Sequence, residues 1–596
     1  MSPASKYWRL FLVGLFAVCL LTWGTAGAVA AGGLAPATSS GPSEAAPAPV
    51  DAQLADVTGE QEVLVHFESA DSITGPNAVE QLQADADRAQ APFIEFAAET
   101  PDVTVERTFW ITNAATVRVD TDEVDLSTIA AVKGVESVGP NPTVSGEMAS
   151  LETIPGDDLA ADSAVGATAA DGSTVGAATA DDPSYGWGLR AINVPEVWDE
   201  HDTRGEGITV AVLDSGIDTD HPELEIEGWG DWDTDGTPRN TEPTDYDVER
   251  EPSGHGTHVA GIVAAEDGSN LYLGVSPDVD LLAGAALTDC DASGCDAQAA
   301  QIIAGIEWAV ENDADVLTIS IGLDVKDPAF IEPIRNAQNA GTFVVASAGN
   351  DGLGTSTSPG NDYDSVSVGA SDTEAGILDM SGGEVIFTDL EWEDPPDDWP
   401  EVYVHPTVSA PGEIIASTVV GGQYARGSGT SQAAPHVAGT AALIQSATDE
   451  QLTPEEIELV LVETAFKPDE YDEEPDVRYG HGIIDAAAAV DLAVEGDFDD
   501  LERSSPGIEE TPSPEDTPTP TPDDTATSTP DDTATSTPED AATSTPEDTS
   551  TEDDDGTLPG SDDADDSMVE VPGFGVGIAL IALLVSALQL VRRGRD

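Results

Sequence analysis

The stretch Gly427–Gly439, GSGTSQAAPHVAG, sets a small-residue turn directly before an apolar helix. Gly427 and Gly429 admit backbone turns that a Cβ resists, and Thr430 or Ser431 is placed to cap the helix that follows. Ala433, Ala434, Val437, Ala438, Ala441, Leu443 and Ile444 make that helix apolar. Pro435 falls in its first turns, where the missing N–H is expected to cost little. A serine in this position holds its Oγ at the positive end of a helix, beside backbone N–H groups able to bind a developing oxyanion. Ser431 therefore reads as a nucleophile, and a nucleophilic serine needs a base.

Two further blocks supply one. Residues 208–218, ITVAVLDSGID, form an apolar run that ends on Asp214 at a turn, where a parallel strand delivers a carboxylate to a sheet edge. Residues 254–261, GHGTHVAG, place His255 at the start of a small-residue helix, and residues 344–350, VVASAGN, end on Asn350. In the order Asp, His, Ser, these blocks resemble those of the subtilisin-like serine proteases. The resemblance implies a triad of Asp214, His255 and Ser431, with Asn350 as oxyanion donor. It also implies a cleft with Ser320-Ile321-Gly322-Leu323 on one side and Ala348-Gly349-Asn350 as the floor of the main pocket. Leu323 stands where relatives usually have a second glycine, and Gln432 where many have Met. His258 is the second histidine of its block and structural by that likeness. His436 and His481 have no partner pattern and are expected to pack in the core or at the surface.

Outward from these blocks, residues 185–496 alternate apolar strands with helices. ITVAVL, VDLLAGAAL, DVLTIS and TFVVAS read as buried parallel strands, and 297–311, 329–340, 430–447 and 453–464 as helices. Thr453-Pro454-Glu455-Glu456 is a helix start with a cap, a first-turn proline and a glutamate three residues after the cap. The predicted fold class is α/β, a three-layer parallel-sheet domain. Residues 374–403 depart from the family pattern with an acidic, Trp-bearing insertion, read as a surface elaboration in preference to a substrate-contacting loop. Cys290 and Cys295 flank a short loop and are expected to pair in a secreted protein. Relatives often hold structural calcium, and Asp218, Asp220 and Glu223 lie in a segment that can contribute a ligand. No ligand set is assigned, and the chemistry itself requires no cofactor.

Residues 59–145 carry a β-α-β-β-α-β pattern, a small ferredoxin-like α+β unit. Val79, Leu82, Ala86, Ala89, Phe93 and Phe96 recur at helical spacing within it. The unit resembles the inhibitory propeptide of the same proteases, which makes the chain's own propeptide an expected partner beside protein or peptide substrates. Residues 31–58 and 146–184 read as linkers, with maturation cleavage somewhere in the second.

The chain carries 19 Lys and Arg against 116 Asp and Glu, a formal charge of −97. Phosphate contacts need cations, so nucleic acid is excluded as a partner. Such self-repulsion is screened to about 3 Å in molar salt, and the acid spread through the folded segments points to saline surroundings, which together with the archaeal tail resemblance given below implies a haloarchaeal character. At the N-terminus, Lys6 and Arg9 precede the apolar run Leu10–Trp23 and small residues to Ala30, a secretory signal. Residues 497–568 are a Thr/Pro/Asp-rich stalk with three octads from Thr525 to Asp548, unable to bury a core. Residues 569–596 end in an apolar run and a cluster of arginines, a membrane span. The Pro572-Gly573-Phe574 start resembles the PGF-type sorting tails of archaeal surface proteins, which are replaced by a lipid. A secreted, cell-surface endopeptidase anchored through its C-terminus, made as a self-processing zymogen, is the expected whole. The rivals are a binding protein on a dead protease fold and an esterase; the context G-T-S-Q-A lacks the G-x-S-x-G elbow of the latter.

Overall fold

The computed structural model describes residues 48–69, 73–75, 77–146, 151–155, 159, 165–168, 174–175, 184–239, 254–266, 271–287, 289–291, 294–323, 325–392, 395–448, 450–468 and 475–496. The expected signal, stalk and C-terminal anchor or sorting tail lie outside the described residues. Among the described residues no helix is long and apolar enough to cross a membrane.

The N-terminal unit follows the predicted order: β1 (Glu60–Phe67), α1 (Ala78–Glu99), β2 (Val103–Phe109), β3 (Ala114–Asp120), α2 (Leu126–Ala130) and β4 (Val135–Pro140). Its sheet is antiparallel in the order β2-β3-β1-β4. Strand side chains alternate between faces. Val63, Val65 and Phe67 accordingly pack with Phe93 and Ala97 of α1, while Leu64 joins Phe109 and Ile111 in a cluster belonging to the large domain. One sheet face holds the unit's own helices and the other docks. Ahead of β1, Asp51 N–H donates to Val138 and Leu54 is buried, so residues from Ala48 onward lie on this unit.

The large domain is built on β5 (Thr209–Asp214), β6 (Ile226–Asp231), β7 (Asp280–Ala285), β8 (Val316–Ile319), β9 (Phe343–Ser347), β10 (Val366–Ser371) and β11 (Val408–Pro411). All neighbours are parallel, in the order β6-β7-β5-β8-β9-β10-β11. The helices that cover it are α3 (His255–Ala264), α4 (Ala299–Glu311), α5 (Ile331–Ala340), α6 (Thr430–Ala447), α7 (Pro454–Thr464) and α8 (Ala486–Glu495). Val210 and Val212 of β5 point into a core shared with α3, α6, α7 and α8; Ala211 and Leu213 point into one shared with α4 and α5. Phe343 and Val345 of β9 divide from Val344 and Ala346 in the same way. Helix, sheet and helix are the three predicted layers. α4 closes tightly on the sheet because Gly305 carries no Cβ; one would sit 2.2 Å from Leu213 Cδ1. The predicted capping box at Thr453 and Glu456 starts α7.

The N-terminal sheet docks on α4 and α5 through an ion pair whose carboxylate is buried and whose guanidinium is partly buried. Arg107 reaches Glu307 Oε1 at 2.9 Å, and Glu307 Oε2 accepts the N–H groups of Trp110 at 2.7 Å and Ile111 at 3.2 Å. Asn336 of α5 donates to the Ile111 carbonyl at 2.7 Å. Burial pushes the Glu307 carboxyl up while Arg107 draws it down. Removing one partner of a buried pair strands the other, typically at about 3–5 kcal/mol. Glu307→Ala, made in a Ser431→Ala background to suppress self-cleavage, is expected to loosen the unit. Faster amide exchange across residues 60–140 with the large-domain sheet still protected is the expected reading; equal protection of both would refute the assignment.

Candidate active site

Asp214 ends β5 at the point where strand order reverses, with β7 on one side and β8 on the other, and a crevice opens at such a point. Its carbonyl accepts the N–H groups of Ala286 and Leu287, and its Oδ1 accepts Ser215 N–H at 2.7 Å. His255 is the first residue of α3, entered through Gly254 at φ +70°. Its Nδ1 lies 2.9 Å from Asp214 Oδ1 and 3.1 Å from Oδ2, with both side chains buried. A carboxylate accepts only, so Nδ1 carries the proton and Nε2 is left as the basic nitrogen. The approach depends on Gly256, where a Cβ would lie 2.2 Å from the Gly216 carbonyl oxygen.

Ser431 is the second residue of α6, in the turn whose N–H groups lack helical partners. The cap differs from the sequence expectation. Gly429 is the N-cap, at φ +154° and ψ 176°, a region open essentially to glycine, and neither Thr430 nor Ser431 caps through its side chain. Asn350 supplies the acceptor instead: its Oδ1 takes the Thr430 N–H at 2.9 Å and the Thr430 hydroxyl at 3.1 Å. The Thr430 Oγ1 in turn accepts Gly349 N–H at 3.2 Å. An N–H must face an oxygen, so this bond fixes which way the amide points and leaves the Asn350 NH₂ to face elsewhere. Pro435 is the sixth residue of the helix and withholds the N–H that would bond the Ser431 carbonyl. Ser320 Oγ donates to that carbonyl at 3.2 Å, which offsets the loss, and Ser431 Oγ donates to the Ser320 carbonyl at 3.4 Å. Sequence alone missed this coupling, because Pro435 and Ser320 lie far apart in the chain.

On the cleft side, Leu323 and Ser358 exchange backbone hydrogen bonds at 2.8 Å, so the segment after β8 is tied to the loop after Asn350. Thr357 of that loop fills the space beside two glycines of the expected pocket. A Cβ on Gly322 would lie 2.7 Å from Thr357 Cβ, and one on Gly349, at φ +101°, 2.7 Å from its Cγ2. No motif flagged Thr357. The insertion forms a hairpin, Glu384–Phe387 with Val402–His405, whose Trp392, Trp399 and Tyr403 bury with Ile331 and Ile386. Tyr403 donates to the Asn361 carbonyl at 2.7 Å, Ser356 donates to Glu384, and His405 lies 3.0 Å from the Ala348 carbonyl. The insertion thus braces the loop that carries Thr357, beyond the surface role read from its composition.

Cys295 is disulfide-bonded and lies opposite Cys290 in a hairpin register. Among the described residues no group of three or more His, Cys, Asp or Glu is placed to hold a metal ion. The carboxylates considered for calcium do not converge: Asp218 accepts from Asp220 and Gly421, Glu223 from Tyr424, and Asp220 is exposed. His258 sends Nε2 to the carbonyls of Ile415 and Ala425, and His436 binds the Gln432 carbonyl through Nδ1. His481 is buried. Burial pushes His258 down to about 3 and His436 to about 4, from an ordinary 6.5. Both are neutral when folded and take up protons on unfolding below that ordinary value. Their contribution is intact above about pH 6.5 and is lost as pH falls towards their folded values, at about 1.4 kcal/mol per pH unit for each. Urea unfolding of the Ser431→Ala protein between pH 7 and 4.5 is expected to show this loss, to which His66 and His405, likewise pushed down to about 4 by burial, add. His258→Gln is expected to remove one proton's worth, and an unchanged slope would exclude His258 as a source.

Residues 205–482 match the subtilase family. The chain is 36% identical over 267 residues to an intracellular serine protease of Paenibacillus polymyxa, covering 43% of this chain and 72% of that protein. It is 36% identical over 269 residues to subtilisin E of Bacillus subtilis, covering 44% and 61%. A thermostable alkaline protease of Halalkalibacterium halodurans is 34% identical over 303 residues, covering 51% and 73%. A seven-stranded parallel sheet flanked by helices, with an aspartate–histidine pair at its switch point and a serine at a helix start, agrees with that similarity: the chain belongs to the subtilase family of serine endopeptidases.

Proposed function

We propose that Ser431 Oγ attacks a peptide carbonyl while His255 Nε2 takes its proton and returns it to the leaving amine. Asp214 holds the imidazole in the required tautomer and stabilises its charged form. Asn350 Nδ2 and the Ser431 N–H hold the oxyanion, and the acyl-enzyme is then released by water. The observation that carries this reading is the 2.9 Å Asp214–His255 bond. The Asn350–Thr430 bond supports the oxyanion role, because it commits the amide oxygen and turns the donor outward. Asn350→Ala is expected to lower kcat by about 10²–10³, the usual loss for one oxyanion donor, with KM little changed. Thr357→Gly is expected to raise the preference for a large over a small acyl-side residue by about tenfold, as removed pocket volume becomes available.

The chain is made as a precursor that cuts itself. Thr143–Gly146 pairs antiparallel with Gly294–Gln298, and Val144 is buried with Ile321, Ala286 and Leu287 near the triad. Further on, Glu152–Ile154 pairs with Gln423–Gly427 just ahead of Ser431. The two pairings support a maturation bond between Gly146 and Leu151, with residues 48–146 as inhibitor and folding aid. By its terminal segments the protease is secreted and held at the cell surface, in saline surroundings matched to its charge of −97. Full-length wild type and Ser431→Ala, incubated in molar salt with a denatured protein, test both parts. Wild type is expected to digest the substrate and to yield a mature N-terminus between residues 147 and 151, while the variant stays uncut and inactive. A folded wild type that neither matures nor cleaves would favour the binding-protein reading.

A further inference from the structure

Strand Gln423–Gly427 lies between the hairpin strand Ile415–Val419 and the chain's own Glu152–Ile154. Without Glu152–Ile154 it is an edge strand, its backbone groups open to an added chain. It also ends four residues before Ser431. A Cβ on Gly427 would lie 2.7 Å from Leu151 Cδ2 and 3.1 Å from the amide carbon of Gln432, the residue after the nucleophile. Leu151 therefore sits beside the reacting centre. With Thr143–Gly146 on the acyl side, residues 151–154 lie on the side that departs as amine.

We infer that Gln423–Gly427 is a binding strand for the leaving-group half of a polypeptide substrate, and that it selects an acidic residue and, two positions later, an apolar one. The inference rests on the self-cleaving reading above and names what that site accepts beyond the cut bond. The register sets Arg426 opposite Glu152, Ala425 opposite Thr153 and Tyr424 opposite Ile154. Ile154 is buried in the main core cluster, against which Tyr424 packs, so its position accepts an aliphatic side chain. Arg426 is one of only 19 cations in the chain, and across from it stands an exposed glutamate. Main-chain pairing supplies affinity here and alternate side chains supply choice, as in other additions of a strand to a sheet edge. After the cut, Leu151–Ile154 is the leading segment of the amine-side product and stays attached to the protease. The chain is held again at Leu159, which is buried, and at Val165, whose carbonyl accepts from Arg190. The strand can thus exchange its own segment for the corresponding half of another polypeptide.

The test uses the matured full-length enzyme, with active sites titrated, and a quenched fluorescent peptide copying residues 140–157. A peptide shortened to end at the residue matching Leu151 is expected to lose about tenfold in kcat/KM, from lost strand pairing. Changing the residue that matches Glu152 to Lys is expected to cost about fivefold, and changing that matching Ile154 to Ser a similar factor. Arg426→Gln should erase the glutamate-over-lysine preference, Arg426→Lys should keep it, and Arg426→Glu should invert it. Equal rates for full and shortened peptides, or a preference indifferent to Arg426, would overturn the inference. An acyl-side anilide separates the two levels. If it is turned over while leaving-group residues have no effect, this inference alone fails; if neither anilide nor peptide is cut, the protease reading fails and takes the inference with it.

Discussion

The hydrogen bond between Asp214 and His255 is the constraint on which the rest of the site depends. A buried carboxylate beside a buried imidazole is tolerable only when each finds its partner in place, since an unpaired buried charge is expensive. That demand fixes the end of β5, where Ala286 and Leu287 hold the Asp214 carbonyl and Ser215 N–H steadies its carboxylate. It also fixes the start of α3, which approaches only because Gly256 lacks a Cβ. A parallel sheet with helices on both faces meets both conditions, because its buried strands all end at the same edge.

Under the proposed mechanism, the start of α6 poses the complementary problem of leaving N–H groups free for chemistry without leaving the helix uncapped. The protein separates the two needs. Asn350 Oδ1 caps Thr430, while the serine that follows keeps its N–H in the open turn. Pro435 frees the Ser431 carbonyl, and the Ser320 hydroxyl takes it up, so Ser431 is tied to the strand end at β8 from both its carbonyl and its hydroxyl. The same atoms thus cap a helix, fix which way the Asn350 amide points and join α6 to the segments at Ser320 and Asn350.

How far this was legible depended on whether the determinant was local. Asp214, His255 and Ser431 lie in short blocks whose glycines and apolar runs have one reading, and the structure brings the first two together at 2.9 Å and sets the third at a helix start. Four strands of the sheet were equally plain. Ile226–Asp231, Val366–Ser371 and Val408–Pro411 were not, because Gly and Ser interrupt them and burial of small residues sustains them. The cap at Gly429 was misread for a related reason: a helix start shows its local candidates, while the acceptor that caps it came from a loop 80 residues earlier. Thr357 and the bracing insertion are likewise products of contact between distant segments, visible only once Gly322, Gly349 and Tyr403 have positions.

The scarcity of cations has a structural consequence as well as a compositional one. Among the described residues, several of them sit at junctions: Arg107 between the N-terminal sheet and α4, Arg335 between Asp364 and Asp398, and Lys326 between Glu384 and Glu391. Arg478 gathers the carbonyls of Ile377, Leu378 and Ser381, and Arg204 lies over Trp198 and Tyr272. Half-buried contacts of this kind are short-ranged and little affected by salt, whereas repulsion among exposed carboxylates acts over distances that salt screens. Added salt therefore removes most of the opposing charge energy and leaves the attractive part standing. In a chain with so few positive groups, these five stand where two elements meet, while Arg88 and Arg118 remain exposed.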